Sequence, residues 1–302
     1  MNAALRMLDE VGNRLAGADL RLAVLALLAH LANHVLRSVA WRGVLAAAYP
    51  RERVRLLPVL SGYAAGVALN AVTPARGGDA VKVGLVRTAI PGSTFTTIAA
   101  TLSVLVALDL VIGTLLVLTV GLTGAVPLDL GAGVGRVTTA APIIAAVILV
   151  VTVAGFLFRG RLRALAARLR QGGAVLRTPA RYLVAVALPQ LAAWCCRVCV
   201  VLCLLAAFGL PATVAVAALV MVVGGASTVI PLTPGGAGTQ QVLLAVALSK
   251  TASAAAVVSF SLAMQASVTV VNAAIGLAAA MTVCRSVRPV RAVRSAFAGA
   301  RA

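Results

Sequence analysis

Long apolar runs constrain this chain more than any other feature of its sequence. Five of them lie at residues 21–44, 95–122, 138–158, 182–208 and 254–283. Each is long enough to cross a hydrocarbon core, which takes about 20 helical residues. Only 11% of the residues are charged, against about 25% in soluble domains. The runs predict an all-α, polytopic membrane helical bundle, because backbone in lipid must satisfy its own hydrogen bonds.

Two further apolar regions are interrupted by proline and glycine. The breaks read LNAVTPARGGDAVK (residues 69–82) and STVIPLTPGGAGTQQ (residues 227–241). Their flanking arms, 56–72 with 79–90 and 212–230 with 237–249, include second arms too short for a comfortable crossing. Each pair is therefore predicted to be a re-entrant, broken-helix hairpin, with irregular backbone beside protein or a wet cavity.

The two halves of the chain repeat. Thr73 and Thr233 are 233 − 73 = 160 residues apart, and Arg37 and Arg197 keep the same offset. We predict a single transmembrane domain over 1–302, with repeat 1 at about 21–122 and repeat 2 at about 182–283. One linking span, 138–158, separates the repeats, so the second is expected to be inserted upside down. Inverted-topology repeats are common in secondary transporters, which bind substrate at the repeat interface.

Positive charge flanks the spans. The chain has 26 Lys and Arg against 7 Asp and Glu, a net charge of +19. Arginines concentrate in the connections 42–55 and 159–181 and in a basic tail, 284–302, which predicts a cytoplasmic position for all three. The connection 123–137 is expected outside, and residues 1–20 are expected to form an interfacial amphipathic helix. Positive charge in this pattern is typical of a multi-pass protein of the cell (inner) membrane. It does not indicate a protein that binds nucleic acid.

The first break carries the charge expected of an anion site. Arg76, Asp79 and Lys82 are spaced three residues apart, which places them on one helical face, and they carry one net positive charge. Gly77 and Gly78 add free backbone N–H groups, so a phosphate head group fits the site. Asn70 and Thr73 belong to the same predicted site. The alternative is that Arg76 and Lys82 extend to the interface while Asp79 caps a helix.

The second break is uncharged. Its glycines let backbone approach a ligand closely, and its Thr and Gln side chains offer neutral hydrogen bonds. The predicted binding residues here are Thr233, Gly235, Gly236, Gly238 and Gln241. The alternative is a tight turn packed against the first hairpin.

Polar side chains also form stripes on three of the long spans. They are His30, Asn33, His34 and Arg37 on the first, Gln190 and Arg197 on the fourth, and Gln265, Thr269 and Asn272 on the last. Polar residues in lipid normally face the bundle interior, so the stripes are predicted to line one path. Arg37, Arg197 and His34 are predicted to contact substrate, and Asp109 either pairs with Arg37 or Arg197 or relays a proton.

Metal and cofactor sites are not predicted. His30 and His34 lack a neighbouring carboxylate or thiol in sequence, and Cys195, Cys196 and Cys199 lie in an apolar helix where Cys is usually a packing residue. No phosphate-binding loop of an ATPase and no hydrolase motif is present. The chain is accordingly predicted not to be an enzyme.

The two breaks resemble a known family. The patterns N-x-x-T-P-x-R-x-G-D-x-x-K at Asn70–Lys82 and P-x-T-P-G-G-x-G-x-x-Q at Pro231–Gln241 are similar to those of flippase-like lysylphosphatidylglycerol synthase transmembrane regions. The resemblance covers about residues 21–283 and implies a membrane domain that moves a charged or glycosylated lipid between leaflets. That family usually has Glu, Arg and Glu where Asp79, Lys82 and Gln241 stand. The loss of the last acid makes a lysyl head group a poorer expected substrate, and we expect a stand-alone membrane domain without the aminoacyl transferase domain.

These observations predict a protein that binds, and translocates between leaflets, an anionic phospholipid or lipid-linked glycan. One alternative is a membrane-embedded transferase acting on a polyprenyl phosphate or phospholipid, with Asp79 as its candidate carboxylate. Another is a non-transporting scaffold for cell-envelope biosynthesis enzymes. The sequence names neither the lipid nor the oligomeric state.

Overall fold

The described part of the chain consists of helices joined by turns and loops, and it contains no strand. The computed structural model describes residues 2–72, 77–123, 173–229, 238–249 and 252–299. Its helices are α1 Asn2–Ala16, α2 Leu20–Ala48, α3 Leu56–Val72, α4 Gly78–Thr88, α5 Phe95–Thr123, α6 Pro179–Ala207, α7 Val214–Val229, α8 Thr239–Ala247 and α9 Ala254–Gly299. A short 3₁₀ turn, Ala174–Arg177, precedes α6, which contains one π-helical turn at Leu183–Ala187.

Four helices are long and apolar enough to cross a membrane: Leu20–Ala48, Phe95–Leu116, Pro179–Ala207 and Ala254–Met281. They correspond to four of the five predicted spans, and the fifth, 138–158, lies outside the described residues. The multi-pass, all-helical class is therefore confirmed. The last helix continues to Gly299, so much of the predicted basic tail is helical, as its Ala and Arg content favours.

The interrupted regions form pairs of short helices. α3 and α4 pack on each other, as do α7 and α8. Their lengths of 17, 11, 16 and 9 residues fall below the roughly 20 residues of a full crossing. The tips that join the arms, 73–76 and 230–237, lie outside the described residues.

α2 and α6 pack along each other in opposite directions. Asp19 N donates to Ala207 O at 3.2 Å, Asn33 Nδ2 donates to Ala193 O at 2.6 Å, and Gly43 lies against the Ala185 carbonyl. As residue numbers rise along α2, those of its partners fall along α6, so the two helices are antiparallel.

Two hydrophobic cores flank this seam. One joins the C-terminal part of α2 to α3, α4 and α5, with Trp41, Leu45, Val86 and Ile98 fully buried. The other joins the C-terminal part of α6 to α7, α8 and α9 around Phe260. Across the seam, α3 packs against α9 and α7 packs against α5.

Glycines bring the arms of the first hairpin close together. A Cβ atom at Gly66 would overlap the Lys82 side chain and the Gly78 carbonyl, and one at Gly78 would overlap the Gly66 carbonyl. Small residues of this kind let membrane helices approach closely. The close contact holds α4 against α3 and sets the position of Lys82.

Gly66→Ala is expected to destabilise the protein, because the added methyl group has no space between α3 and α4. Overpacking of this kind costs about 1–3 kcal/mol. Chemical unfolding of detergent-solubilised protein, followed by circular dichroism, measures the change.

Gly84→Ala is the matched control. A Cβ atom there meets nothing within 4 Å, so the change is expected to leave stability unaltered or to raise it by up to about 1 kcal/mol through helix propensity. Equal losses in the two variants would contradict the close packing of α3 and α4.

Candidate functional site

Asp109 on α5 lies at the centre of a polar network. Its Oδ1 atom accepts hydrogen bonds from Gln190 Nε2 at 2.6 Å, Trp194 Nε1 at 2.8 Å and Arg37 Nη1 at 3.2 Å. Its Oδ2 atom forms a short ion pair with Arg37 Nη2. Both side chains are mostly buried, at 21% and 16% exposure. Asp109 therefore ties α2 and α5 of the first half to α6 of the second.

Tyr63 on α3 joins this network to the first hairpin. Arg37 Nε donates to the Tyr63 hydroxyl at 2.7 Å, and Lys82 Nζ lies 4.7 Å from the centre of the Tyr63 ring. A cation over an aromatic face is attracted by the ring quadrupole. One buried tyrosine thus contacts two of the predicted binding cations.

Lys82 and Asp79 form an ion pair at the start of α4. Lys82 Nζ donates to Asp79 Oδ1 at 2.9 Å, and the lysine is buried while the acid is half-buried. Asp79 Oδ1 also accepts from Asn70 Nδ2 at 3.1 Å. The sequence spacing predicted Arg76 or Lys82 as a partner of Asp79. Lys82 is such a partner, and Arg76 lies outside the described residues.

Asn70 closes the first hairpin across its break. Its Oδ1 atom accepts from Gly78 N at 2.8 Å while its amide nitrogen donates to Asp79. Asn70 therefore caps α4 from the end of α3, satisfying one of the unpaired N–H groups of a helix start. The sequence predicted that Asn70 contacts a ligand. In the structure its side chain bonds to Gly78 and Asp79 and joins α3 to α4.

The second hairpin uses a different cap. Gln241 Oε1 accepts from Gly238 N at 2.7 Å, and Gln241 Nε2 donates to Gln265 Oε1 on α9 at 2.7 Å. Gly238 has a φ of +85°, a conformation that favours glycine. Gln241 therefore fixes the start of α8 and attaches it to α9.

The two histidines of the first span meet Asn272 of the last. His34 Nε2 lies 3.1 Å from His30 Nε2 and 3.0 Å from Asn272 Oδ1, and His30 Nε2 lies 3.1 Å from the same oxygen. His34 is buried and its ring is 5.9 Å from that of Tyr63. These contacts link α2 to α9, and His34 is buried in the polar interior of the bundle.

Arg197 differs from the other two cations. Its guanidinium lies over the Trp194 ring, 4.9 Å from the centroid. Trp194 also donates to Asp109, so Arg197 and Asp109 contact the same indole side chain. Arg197 is exposed, unlike the buried Lys82 and the half-buried Arg37.

In the structure Tyr63 contacts three predicted site residues, Arg37, Lys82 and His34. The fourth, Arg197, contacts Trp194. Tyr63 was missed by the sequence reasoning, although a tyrosine within an apolar arm needs a partner for its hydroxyl group. Thr73, Arg76, Thr233, Gly235 and Gly236 lie outside the described residues. Gly77 is exposed, and Gly78 is buried against α3.

Metal-ligating side chains do not converge in the described ranges. No group of three or more His, Cys, Asp or Glu is close enough there to hold an ion. Cys199 and Cys203 have sulfur atoms 3.8 Å apart and are free thiols.

Comparison with known proteins identifies one related family. The sequence model described as "Lysylphosphatidylglycerol synthase TM region" matches residues 3–276. Comparison with curated proteins finds no match, and comparison with solved structures finds none either.

Asp109→Asn is expected to lower stability, because it leaves the mostly buried Arg37 guanidinium without its carboxylate. Removing one partner of a buried pair costs about 3 kcal/mol or more. The change is measured as a lower midpoint in a thermal unfolding scan of the purified protein.

The double variant Arg37→Gln with Asp109→Asn should unfold no earlier than the less stable single variant, because the two residues form one pair. Ser103→Ala, an exposed position on the same helix, serves as the control and should leave the midpoint unchanged. Additive losses in the double variant would show that Arg37 and Asp109 act separately.

Proposed function

Because the chain belongs to the family of lysylphosphatidylglycerol synthase transmembrane regions, we propose that it binds an anionic phospholipid or lipid-linked head group and moves it between leaflets. The cell (inner) membrane is the proposed location. One observation carries this proposal: the charged side chains of the spans form one network with the charged arm of the broken first hairpin.

The network carries more positive than negative charge. Within the described residues it contains the cations Arg37, Lys82 and Arg197 and the anions Asp79 and Asp109. Ionised side chains within a membrane are costly and usually mark a substrate path. The excess of one positive charge favours an anionic ligand over a cationic one, in agreement with Gln241 replacing the family's usual acid.

The packing supports an inverted-topology repeat. At the 160-residue offset α2 corresponds to α6, and their antiparallel seam passes through Asn33 and Ala193, which are equivalent positions. At the same offset α3 corresponds to α7 and α5 corresponds to α9. The packing of α3 on α9 is therefore the counterpart of the packing of α7 on α5. Two inverted halves suit transport, since rocking one against the other exposes a central site to each side in turn.

The described contacts favour binding over a transferase reaction. Asp79, the carboxylate considered for transferase chemistry, accepts from Lys82 and Asn70. Those contacts fix the start of α4. A transferase would need a carboxylate directed at its donor substrate, and Asp109 is already surrounded by Arg37, Gln190 and Trp194.

Lys82→Met and Arg76→Ala are expected to slow lipid movement about tenfold or more, since each removes a cation that attracts the head group. The assay uses proteoliposomes containing a fluorescent anionic phospholipid and measures the label that becomes accessible to an external quencher. Combining Lys82→Met with Asp79→Asn avoids leaving the acid unpaired.

Arg181→Ala, at an exposed position near the start of α6, is the matched control and should move lipid like the parent protein. A parent protein that moves no lipid above empty liposomes would overturn the proposed function. Full activity of both site variants would instead remove Arg76 and Lys82 from it.

A further inference from the structure

Arg197 is a membrane-embedded cation without an acidic partner in the described part of the chain. Its guanidinium stacks on the Trp194 ring, while the ion pairs described within the spans join other residues, Arg37 with Asp109 and Lys82 with Asp79. A guanidinium has five N–H donors and retains its charge at any physiological pH. A charged side chain within a membrane span is costly unless it has a partner, so a counter-anion is expected.

The protein itself has few carboxylates to offer. Of its seven acids, Asp9 and Glu10 are exposed on α1, Glu52 is in the exposed loop after α2, Asp19 caps the start of α2, Asp79 pairs with Lys82, Asp109 pairs with Arg37, and Asp129 lies outside the described residues. Asp19 lies beside Ala207, ten residues and hence about 15 Å along α6 from Arg197.

Asp109 is the nearest of these acids, but its hydrogen-bonding capacity is already used. Oδ1 accepts three hydrogen bonds and Oδ2 accepts the ion pair from Arg37. A carboxylate has about four lone-pair sites in total. Asp109 therefore neutralises Arg37 and does not provide a second ion pair to Arg197.

The repeat shows where a second acid would have been. Arg37 and Arg197 are equivalent at the 160-residue offset, and the position equivalent to Asp109 is 109 + 160 = 269, which is Thr269 on α9. The first half therefore supplies its own counter-ion, while the second half has a neutral hydroxyl at that position.

A buried acceptor without a partner lies on the same helix as Arg197. Gln190 is completely buried, its Nε2 donates to Asp109, and its Oε1 has no hydrogen-bond partner among the described residues. Gln190 and Arg197 are seven residues apart on α6, which places them on one helical face. A ligand with an anionic oxygen for Arg197 and a hydroxyl group for Gln190 would satisfy both.

We propose that Arg197, held on the Trp194 ring, is the anion subsite of the transport path, and that a phosphate group of the substrate replaces the acid missing from the second half. The proposal rests on the function proposed above. Arg37 and Lys82 are already paired with acids, so they contribute to the positive electrostatic potential of the site. Arg197 makes the direct contact with the phosphate. Phosphate accepts bidentate hydrogen bonds from arginine, which a lysine does not reproduce.

Arg197→Gln tests the contact directly. Binding of short-chain phosphatidic acid to detergent-purified protein, followed by isothermal titration calorimetry, should weaken about tenfold or more, the effect of losing one charge-assisted contact. Arg197→Lys should recover only part of the affinity. Arg181→Gln is the matched control and should bind like the parent protein.

Two further probes identify the source of the phosphate. Short-chain phosphatidylcholine, which has no net charge, is expected to bind more weakly than phosphatidic acid. Inorganic phosphate is expected to compete with the lipid only at far higher concentration, because it lacks the acyl chains. Equal affinity for inorganic phosphate and lipid would overturn the assignment to a lipid head group.

Thr269→Asp tests the replacement of the missing acid. An acid there would compete with phosphate for Arg197, so Thr269→Asp should weaken phosphatidic acid binding more than Thr269→Asn, whose side chain has the size of Asp but no charge. Equal binding by the two Thr269 variants would contradict the replacement of an acid by phosphate.

The binding and transport assays separate this inference from the proposed function. Parent-like lipid binding by Arg197→Gln would overturn the subsite and leave lipid transport intact. A parent protein that binds phosphatidic acid through Arg197 but moves no lipid would retain the subsite and overturn the transport function.

Discussion

The carboxylate of Asp109 holds the two halves of the molecule together. It accepts hydrogen bonds from Arg37 on α2 and from Gln190 and Trp194 on α6. Few other acids are available in a chain that has seven of them, so one carboxylate is the partner of three side chains from two helices. In a medium of low dielectric constant such contacts are strong when satisfied and costly when broken. The position of Arg37 depends directly on this one acid.

From Asp109 the contacts extend to the first hairpin through Tyr63. The tyrosine accepts from Arg37 and presents its ring to Lys82, and Lys82 is bonded to Asp79 at the start of α4. The glycine contact between α3 and α4 fixes the approach of these side chains. The close packing of α3 and α4 positions Lys82, and Lys82 connects the broken helix to the charged side chains of the spans through Tyr63.

The sequence predicted the bounds of the spans and hairpin arms well, because apolar length and proline–glycine breaks are local properties. It placed α3 at 56–72, as the structure does, and it named Arg37 among the partners of Asp109. It did not predict that Asn70 and Gln241 cap helix starts or that Tyr63 joins two cations. Those roles depend on which helices become neighbours, which residue spacing along one chain does not reveal. The tips of both breaks, with Arg76 and Thr233, remain known from sequence alone.

The Lys82–Tyr63–Arg37 contacts have a thermodynamic consequence. If the first hairpin adopts a second position, Lys82 must leave Tyr63 or move it, and the potential around Arg37 and Arg197 changes. Linkage then requires the converse with equal free energy, so an anion that prefers one hairpin position shifts the hairpin equilibrium by the same factor. Under the proposed function, an anion bound among these cations would therefore bias which leaflet the first hairpin faces.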